Sequence, residues 1–396
     1  MTAKPAKSFE VSQLTGFPKD VVIGSLGHRL WQGIGLLLAV VCAVVPALLL
    51  NDAALTPIAQ VVPYAVAVLG LNLVTGWTGQ VSLGHAAFFG AGAYTVAVLC
   101  GDRGWPWGAA VPAAAVAGAA LGFLVGIPAL RLRGLYLAVV TLAVGVAFPV
   151  LLTQPFALEL GTGGVGGKTT DVGWHKPAWF GLNVTDFGWR YLVAATVAGV
   201  LFWLAAGLVR GRTGRSLIAV RDHETAARVC GVWPAGVRTG AFAVSAAYGA
   251  LGGALYILIT PTVSPGTVGF QITLLFITAM VLGGSTTVAG AWIGGAAMVF
   301  LPQWTADWAG SMPGLAAVSS QPGLFSNAVY GLLLIAAVFA MPEGIAPFLT
   351  RLRARALRLV PREVTEPPPE APDTTPLADP ASPPTPVSAA PVRRTR

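Results

Sequence analysis

The chain has 396 residues, of which 55% are apolar and only 10% charged, against about 25% charged in an ordinary soluble domain. So few charges cannot clothe a water-facing surface, which excludes a soluble enzyme and points to an all-α integral membrane protein. The net charge of +8 needs no nucleic acid partner to explain it, because the basic residues fall in the connections between apolar segments.

Residues 1–29 form a polar N-terminal segment, too long before the first apolar run for a cleavable signal peptide, so that run is expected to stay as a membrane span. Ten apolar segments follow, at 30–50, 58–74, 81–99, 107–130, 135–152, 189–209, 240–260, 270–282, 288–301 and 324–341. The eighth and ninth are short for a hydrocarbon core of about 30 Å. With both termini in the cytoplasm, only Arg103, Lys168, Lys176 and Arg190 of the 24 basic residues fall outside. That asymmetry is what the positive-inside rule requires. Spans two to five would then begin outside and spans seven to ten inside, so the two four-helix halves are expected to be inverted repeats.

In the first half, GWTGQVSLGHAAFFGAGAY (76–94) interrupts the apolar pattern. Gly76 and Gly79 break the second segment, and Ser82 or Thr78 is expected to cap the third helix. Helix packing is the common reason for Gly84, Gly90 and Gly92 to recur. The functional alternative is unwound backbone lining a translocation path, with Gly76, Gly79, Ser82, Gly84 and His85 as candidates. His85 stands alone among the four histidines, and packing or capping suits it better than catalysis, since a base needs a partner within reach.

Between the fifth and sixth segments an outer loop (153–188) holds GTGGVGGKTT (161–170), which imitates a nucleotide-binding loop. The imitation fails. A phosphate loop needs Gly, four residues and then Gly-Lys-Ser/Thr, and Thr162 stands where the first glycine should be. The three cysteines, Cys42, Cys100 and Cys230, have neither disulfide nor metal-ligand spacing.

The inner loop 210–238 carries a helix-forming stretch from Ser216 to Val229, which Gly231 and Pro234 should end. Its Ile218, Val220 and Ala226 or Ala227 lie near one face, and Arg221, Asp222, Glu224 and Arg228 on others. Such a helix can rest on lipid. Its acids suit a docking surface for a cytoplasmic protein better. A second glycine break, VLGGSTTVAGAWIGGA (281–296), adds Gly283, Gly284, Ser285 and Gly290 to the candidate path, on the same side of the membrane as the first. The spans hold almost no ionisable residue: Arg190 sits at the outer end of the sixth, and Glu159 and Asp307 fall in outer loops. That leaves no relay for ion coupling. Residues 346–396 read as a basic, then Pro-rich, disordered cytoplasmic tail.

Taken together, these blocks resemble the membrane-spanning permease subunits of ABC importers for branched-chain amino acids. GWTGQVSLGHAAFFGAGAY, LRLRGLYLAVVTLA, TGRSLIAVRDHETAARVCGV, SPGTVGF with VLGGSTTVAGAWIGGA, and VYGLLLIAAVFAMPEGI appear in the family's order between residues 59 and 345, the permease domain being 30–345. The resemblance implies a multi-pass protein of a bacterial-type inner plasma membrane with no catalytic residues or cofactor of its own. Its partners would be two cytoplasmic ABC ATPase subunits that bind the ATP, a second related permease and an extracytoplasmic binding protein. The family's coupling segment carries over onto Arg221, Asp222, Glu224, Ala226, Ala227 and Gly231, with His223 and Thr225 as departures. GTGGVGGKTT is similar to the family's outer Thr-Gly-Gly loop, a flexible lip on the binding-protein side. Permeases for urea or short amides, and a passive channel for a small neutral solute, remain as alternative functions.

Overall fold

A computed structural model describes residues 19–22, 41–129, 134–170, 173, 175–177, 184–311, 331, 332, 335, 339 and 344–360. The helices run α1 (41–49), α2 (Asp52–Leu71), α3 (His85–Gly101), α4 (Trp107–Ala129), α5 (Leu135–Leu151), α6 (Pro155–Glu159), α7 (Asp186–Arg210), α8 (Arg212–Asp222), α9 (Glu224–Val229), α10 (Pro234–Ile259), α11 (Phe270–Gly283), α12 (Val288–Ser311) and α13 (Ile345–Ala356). Two small strand pairs accompany them. β1 (Lys19–Val22) runs parallel to β4 (Leu357–Val360), and β2 (Lys168–Thr169) antiparallel to β3 (Thr262–Val263) in the register Lys168 to Val263.

The second to ninth apolar segments each coincide with one helix, so the all-α membrane architecture stands. Among the described residues, five helical runs are long and apolar enough to cross a membrane: Asp52–Gly76, Trp107–Pro128, Asp186–Arg210, Pro234–Ile259 and Pro265–Gly283. Most of the first and last expected segments lies outside the described residues, so ten spans is not a count the helices establish. The ninth segment is longer than its apolar run, because α12 continues for 24 residues. That extension takes Asp307 out of the expected loop and into a helix, where it is exposed. Glu159 closes α6.

α10 sits at the centre because its small residues let neighbours approach. Gly252 faces Pro63 and Ala67 of α2, Gly253 faces Phe89 of α3, and Gly118 and Gly122 of α4 fit against Ala246 and Ala250. Around it the core is aromatic and aliphatic, with Phe88, Phe89, Phe242, Phe276, Leu255 and Leu258 fully buried. α2 begins at Asn51, whose side chain accepts from the Ala54 amide at 2.9 Å, and α7 begins at Thr185, whose hydroxyl accepts from Gly188. The same hydroxyl donates to Asp52 at 2.7 Å. One interaction therefore fixes both helix starts at the same end of the bundle.

At that end GTGGVGGKTT is pinned rather than a free lip. The Thr162 hydroxyl lies 2.9 Å from the Leu152 and Ala157 carbonyls, Thr170 donates to Ala97 at 3.0 Å, and Lys168 pairs with Asp102 at 2.5 Å. The backbone of Lys168 and Thr169 is taken up by the ladder to Thr262 and Val263. Its glycines serve the turn, with Gly161, Gly163, Gly164 and Gly167 all at positive φ, where other residues are strained.

Candidate functional site

The first glycine break starts inside α2's own continuation. Residues Asn72–Gly76 form a π-helical turn, and Gly79 adopts φ 69°, which ends the helix. The expected caps of α3 are not used. Thr78 donates back to the Val74 carbonyl and accepts from Gln80, the buried Ser82 hydroxyl has no partner, and the residue before α3 is Gly84, with no side chain to offer. Two amides about this helix start are met from other helices instead. Leu83 donates to the Thr141 hydroxyl of α5 at 2.9 Å, and Ala86 to the Thr273 hydroxyl of α11 at 3.3 Å. The reason is geometric: Gly84 lies so close to the Thr141 carbonyl that no Cβ fits, and that approach brings the threonine hydroxyl within reach.

His85 opens α3 fully buried, its Nε2 2.9 Å from the Ala67 carbonyl and its ring edge-on to Phe88 and Phe276. No acid, cysteine or second histidine joins it in a metal-binding group among the described residues. This is a packed histidine that ties α3 to α2.

The second break closes α11 at Gly283, continues through Gly284 at φ 105°, and restarts at α12, where the Thr287 hydroxyl accepts from the Gly290 amide at 3.1 Å. Gly283 and Gly290 face each other so closely that a Cβ on either would strike the other's carbonyl. Although more than 200 residues apart in the chain, the two breaks meet. Gly76 abuts the Ser285 carbonyl with no room for a methyl group, and the Asn72 side chain donates from Nδ2 to the Thr287 carbonyl at 3.2 Å. Gly76, Gly283, Gly284, Ser285 and Gly290 thus form one backbone-to-backbone junction, while Gly84 and His85 belong to an adjacent contact with α5 and α2.

The inner segment reaches the same junction. It is two helices rather than the single one expected, because His223, at φ −147° and ψ 90°, interrupts it between α8 and α9. Leu217, Val220 and Ala227 are its buried anchors, whereas Ala226 is exposed. Gly231, at φ 80°, ends α9 as expected, but Pro234 starts α10 rather than closing the inner helix. Arg221 donates from Nη1 to the Gly76 carbonyl at 2.9 Å and from Nε to Asp222 at 2.8 Å, and its stem covers Gly79. Glu224 is held by Arg228 in its own helix and by Arg238 of α10 at 2.7 Å. Only 14% of the Glu224 side chain is exposed, so it braces α9 against α10 rather than presenting a charge outward. What this face does present is Asp222, Ala226, Val229 and Trp233, the last two 89% and 74% exposed.

Arg221 thus ties α8 to the Gly76 carbonyl, and Glu224 ties α9 to α10 through Arg238. Arg238, Thr141 and Thr273 escape a sequence reading because their partners lie 14, 58 and 187 residues away. Asn72 had a visible signal, as a fully buried amide in an otherwise apolar run.

Comparison with known proteins agrees with this organisation. The family model described as "Branched-chain amino acid transport system / permease component" matches residues 53–338. The high-affinity branched-chain amino acid transport system permease proteins LivM of Salmonella typhimurium and of Escherichia coli K12 are each 31% identical over 304 residues, covering 71% of this chain and 70% of the relative. No solved structure matches. The matched region takes in both glycine breaks and the inner segment, and the chain belongs to the family of branched-chain amino acid transport permease components.

Proposed function

We propose that the chain is the membrane-spanning subunit of an ATP-driven importer for branched-chain or related hydrophobic amino acids. It would work with two cytoplasmic ATPase subunits, a second related permease and an extracytoplasmic binding protein. The observation that carries the coupling part of this reading is the hydrogen bond from Arg221 to the Gly76 carbonyl, because it joins the inner segment to the junction of the two breaks. ATPase subunits docked on the exposed face around Asp222, Ala226 and Val229 would move α8 and α9. The junction would follow through Arg221, and α10 through Glu224 and Arg238, shifting the bundle between two access states. The substrate class is supported by the family and by the names of the relatives.

The test has two arms. Ala226→Arg places a charge on an exposed position, so the chain should fold while the ATPase no longer co-purifies; retention of the ATPase together with full uptake would remove α9 as the docking element. Vesicles holding the complete complex, binding protein and ATP should take up leucine, isoleucine or valine. Uptake of urea or a short amide in their place would overturn the substrate assignment alone.

A further inference from the structure

The segment after the bundle, expected as tail, begins with α13, and α13 has a surface that the bundle does not use. Ile345, Phe348, Leu349, Leu352 and Ala356 recur at the spacing of one helix face. Phe348, Leu349 and Leu352 are each about half exposed, at 48%, 48% and 53%. Every charge on the helix is positive: arginine stands at 351, 353 and 355, with no acid from Ile345 to Ala356. α8 and α9 differ in kind, since Asp222 and Glu224 give them both signs.

The helix also starts at a defined place. Gly344, at φ 90°, is packed on Gly284, where a Cβ would come within 2.6 Å of the Gly284 nitrogen. Gly284 follows directly on Pro265–Gly283, a run long and apolar enough to cross a membrane. α13 therefore starts against the end of a run long and apolar enough to cross a membrane. Ala346 is buried at its first turn, which leaves the stripe beyond it outside the bundle.

We propose that α13 is an interfacial helix that binds anionic phospholipid, its apolar stripe entering the acyl boundary and its arginines meeting the headgroup phosphates. Because its first residue is seated on the second glycine break, lipid engagement steadies residues 281–287. The charge pattern selects this occupant: a neutral bilayer would satisfy the stripe but not a helix whose three charges are all arginines.

The full chain is reconstituted alone, without ATPase or amino acid, so the outcome does not depend on the function proposed above. Cys42, Cys100 and Cys230 are replaced by serine, and Leu352→Cys carries an environment-sensitive fluorophore in vesicles containing nitroxide-labelled lipid. Quenching should be severalfold stronger in phosphatidylcholine with phosphatidylglycerol than in phosphatidylcholine alone, and should fall with added salt and with Arg351→Gln, Arg353→Gln and Arg355→Gln combined. Hydrogen exchange at residues 281–287 should slow in the anionic vesicles. Equal quenching in both lipids, unaffected by salt, would reduce the site to apolar anchoring and overturn anionic recognition. Absence of quenching would mean that protein covers the stripe and would overturn the proposal as a whole. Unchanged exchange would remove the link to the break. The salt series needs no arginine variant and decides the matter if the triple variant fails to fold.

Discussion

Gly76→Ala tests the junction of the two breaks most directly. The added methyl would strike the Ser285 carbonyl oxygen and lie 2.6 Å from the carbonyl carbon, whereas carbon atoms pack at about 3.5–4.0 Å, so the second break must retreat by at least about 1 Å. That backbone is not free to yield, being held by Asn72 through Thr287 and backed by Gly344. Overpacking of this kind costs up to about 3 kcal/mol. Alanine regains about 1 kcal/mol of helix propensity over glycine, and Gly76 is not at positive φ, so no strain is added. The net loss is up to about 2 kcal/mol, or up to roughly thirtyfold in the equilibrium between packed and separated breaks. Hydrogen exchange reads it at the amides of Gly79 and Gln80, which are bonded to Thr75 and Val74, and at Gly290. Their protection should fall by about that factor. A second variant makes the reasoning refutable: Ser285→Ala should not rescue Gly76→Ala, because the clash is with a carbonyl that the substitution leaves in place. Rescue, or unchanged protection in Gly76→Ala itself, would show that the breaks do not meet through their backbones.

Gly90→Ala should behave in the opposite way, since its methyl would meet side chains, Phe148 at 2.6 Å and Val268 at 2.9 Å. A loss of about 1–2 kcal/mol in heat-inactivation assays should be partly recovered by Phe148→Leu. Arg221→Gln removes the charged donor to Gly76; with about one-third of the Arg221 side chain exposed, the loss should be about 1 kcal/mol. It should appear as faster exchange at residues 75–80 and less uptake per ATP, with ATPase binding retained; tight coupling in this variant would remove Arg221 from the transmission. Lys168→Met breaks a pair whose aspartate is 44% exposed, so it should cost less than about 1 kcal/mol and raise proteolysis of 161–170 only slightly. A large rise would mean that the pair, rather than the ladder to Thr262 and Val263, holds the loop.

Much of the membrane architecture can be read from one dimension, because apolar run length and the sites of Gly76, Gly79, Gly283 and Gly284 are local properties. What escapes is every contact between distant segments. The inner segment shows why: composition from Ser216 to Val229 favours a helix throughout, yet the Gly76 carbonyl draws Arg221 one way and Arg238 draws Glu224 another, and the chain breaks at His223 between them. Glu224 reads as a docking charge until Arg238 is seen beside it. Ser82 reads as a cap until Gly84 is seen to lie too close to α5 for a local cap to be needed. Asp307 reads as loop because hydropathy stops before α12 does.

The borrowed caps of α3 carry a consequence for how the protein is made. A helix start inside a bilayer with its amides unmet costs several kcal/mol, and two amides about the start of α3, those of Leu83 and Ala86, are met by hydroxyls from Thr141 and Thr273. The second of these is 187 residues downstream of its partner. During synthesis the Ala86 amide therefore lacks this partner until the chain has been made as far as Thr273. A chain truncated before Thr273 should therefore leave the start of α3 more accessible to protease than the full chain does.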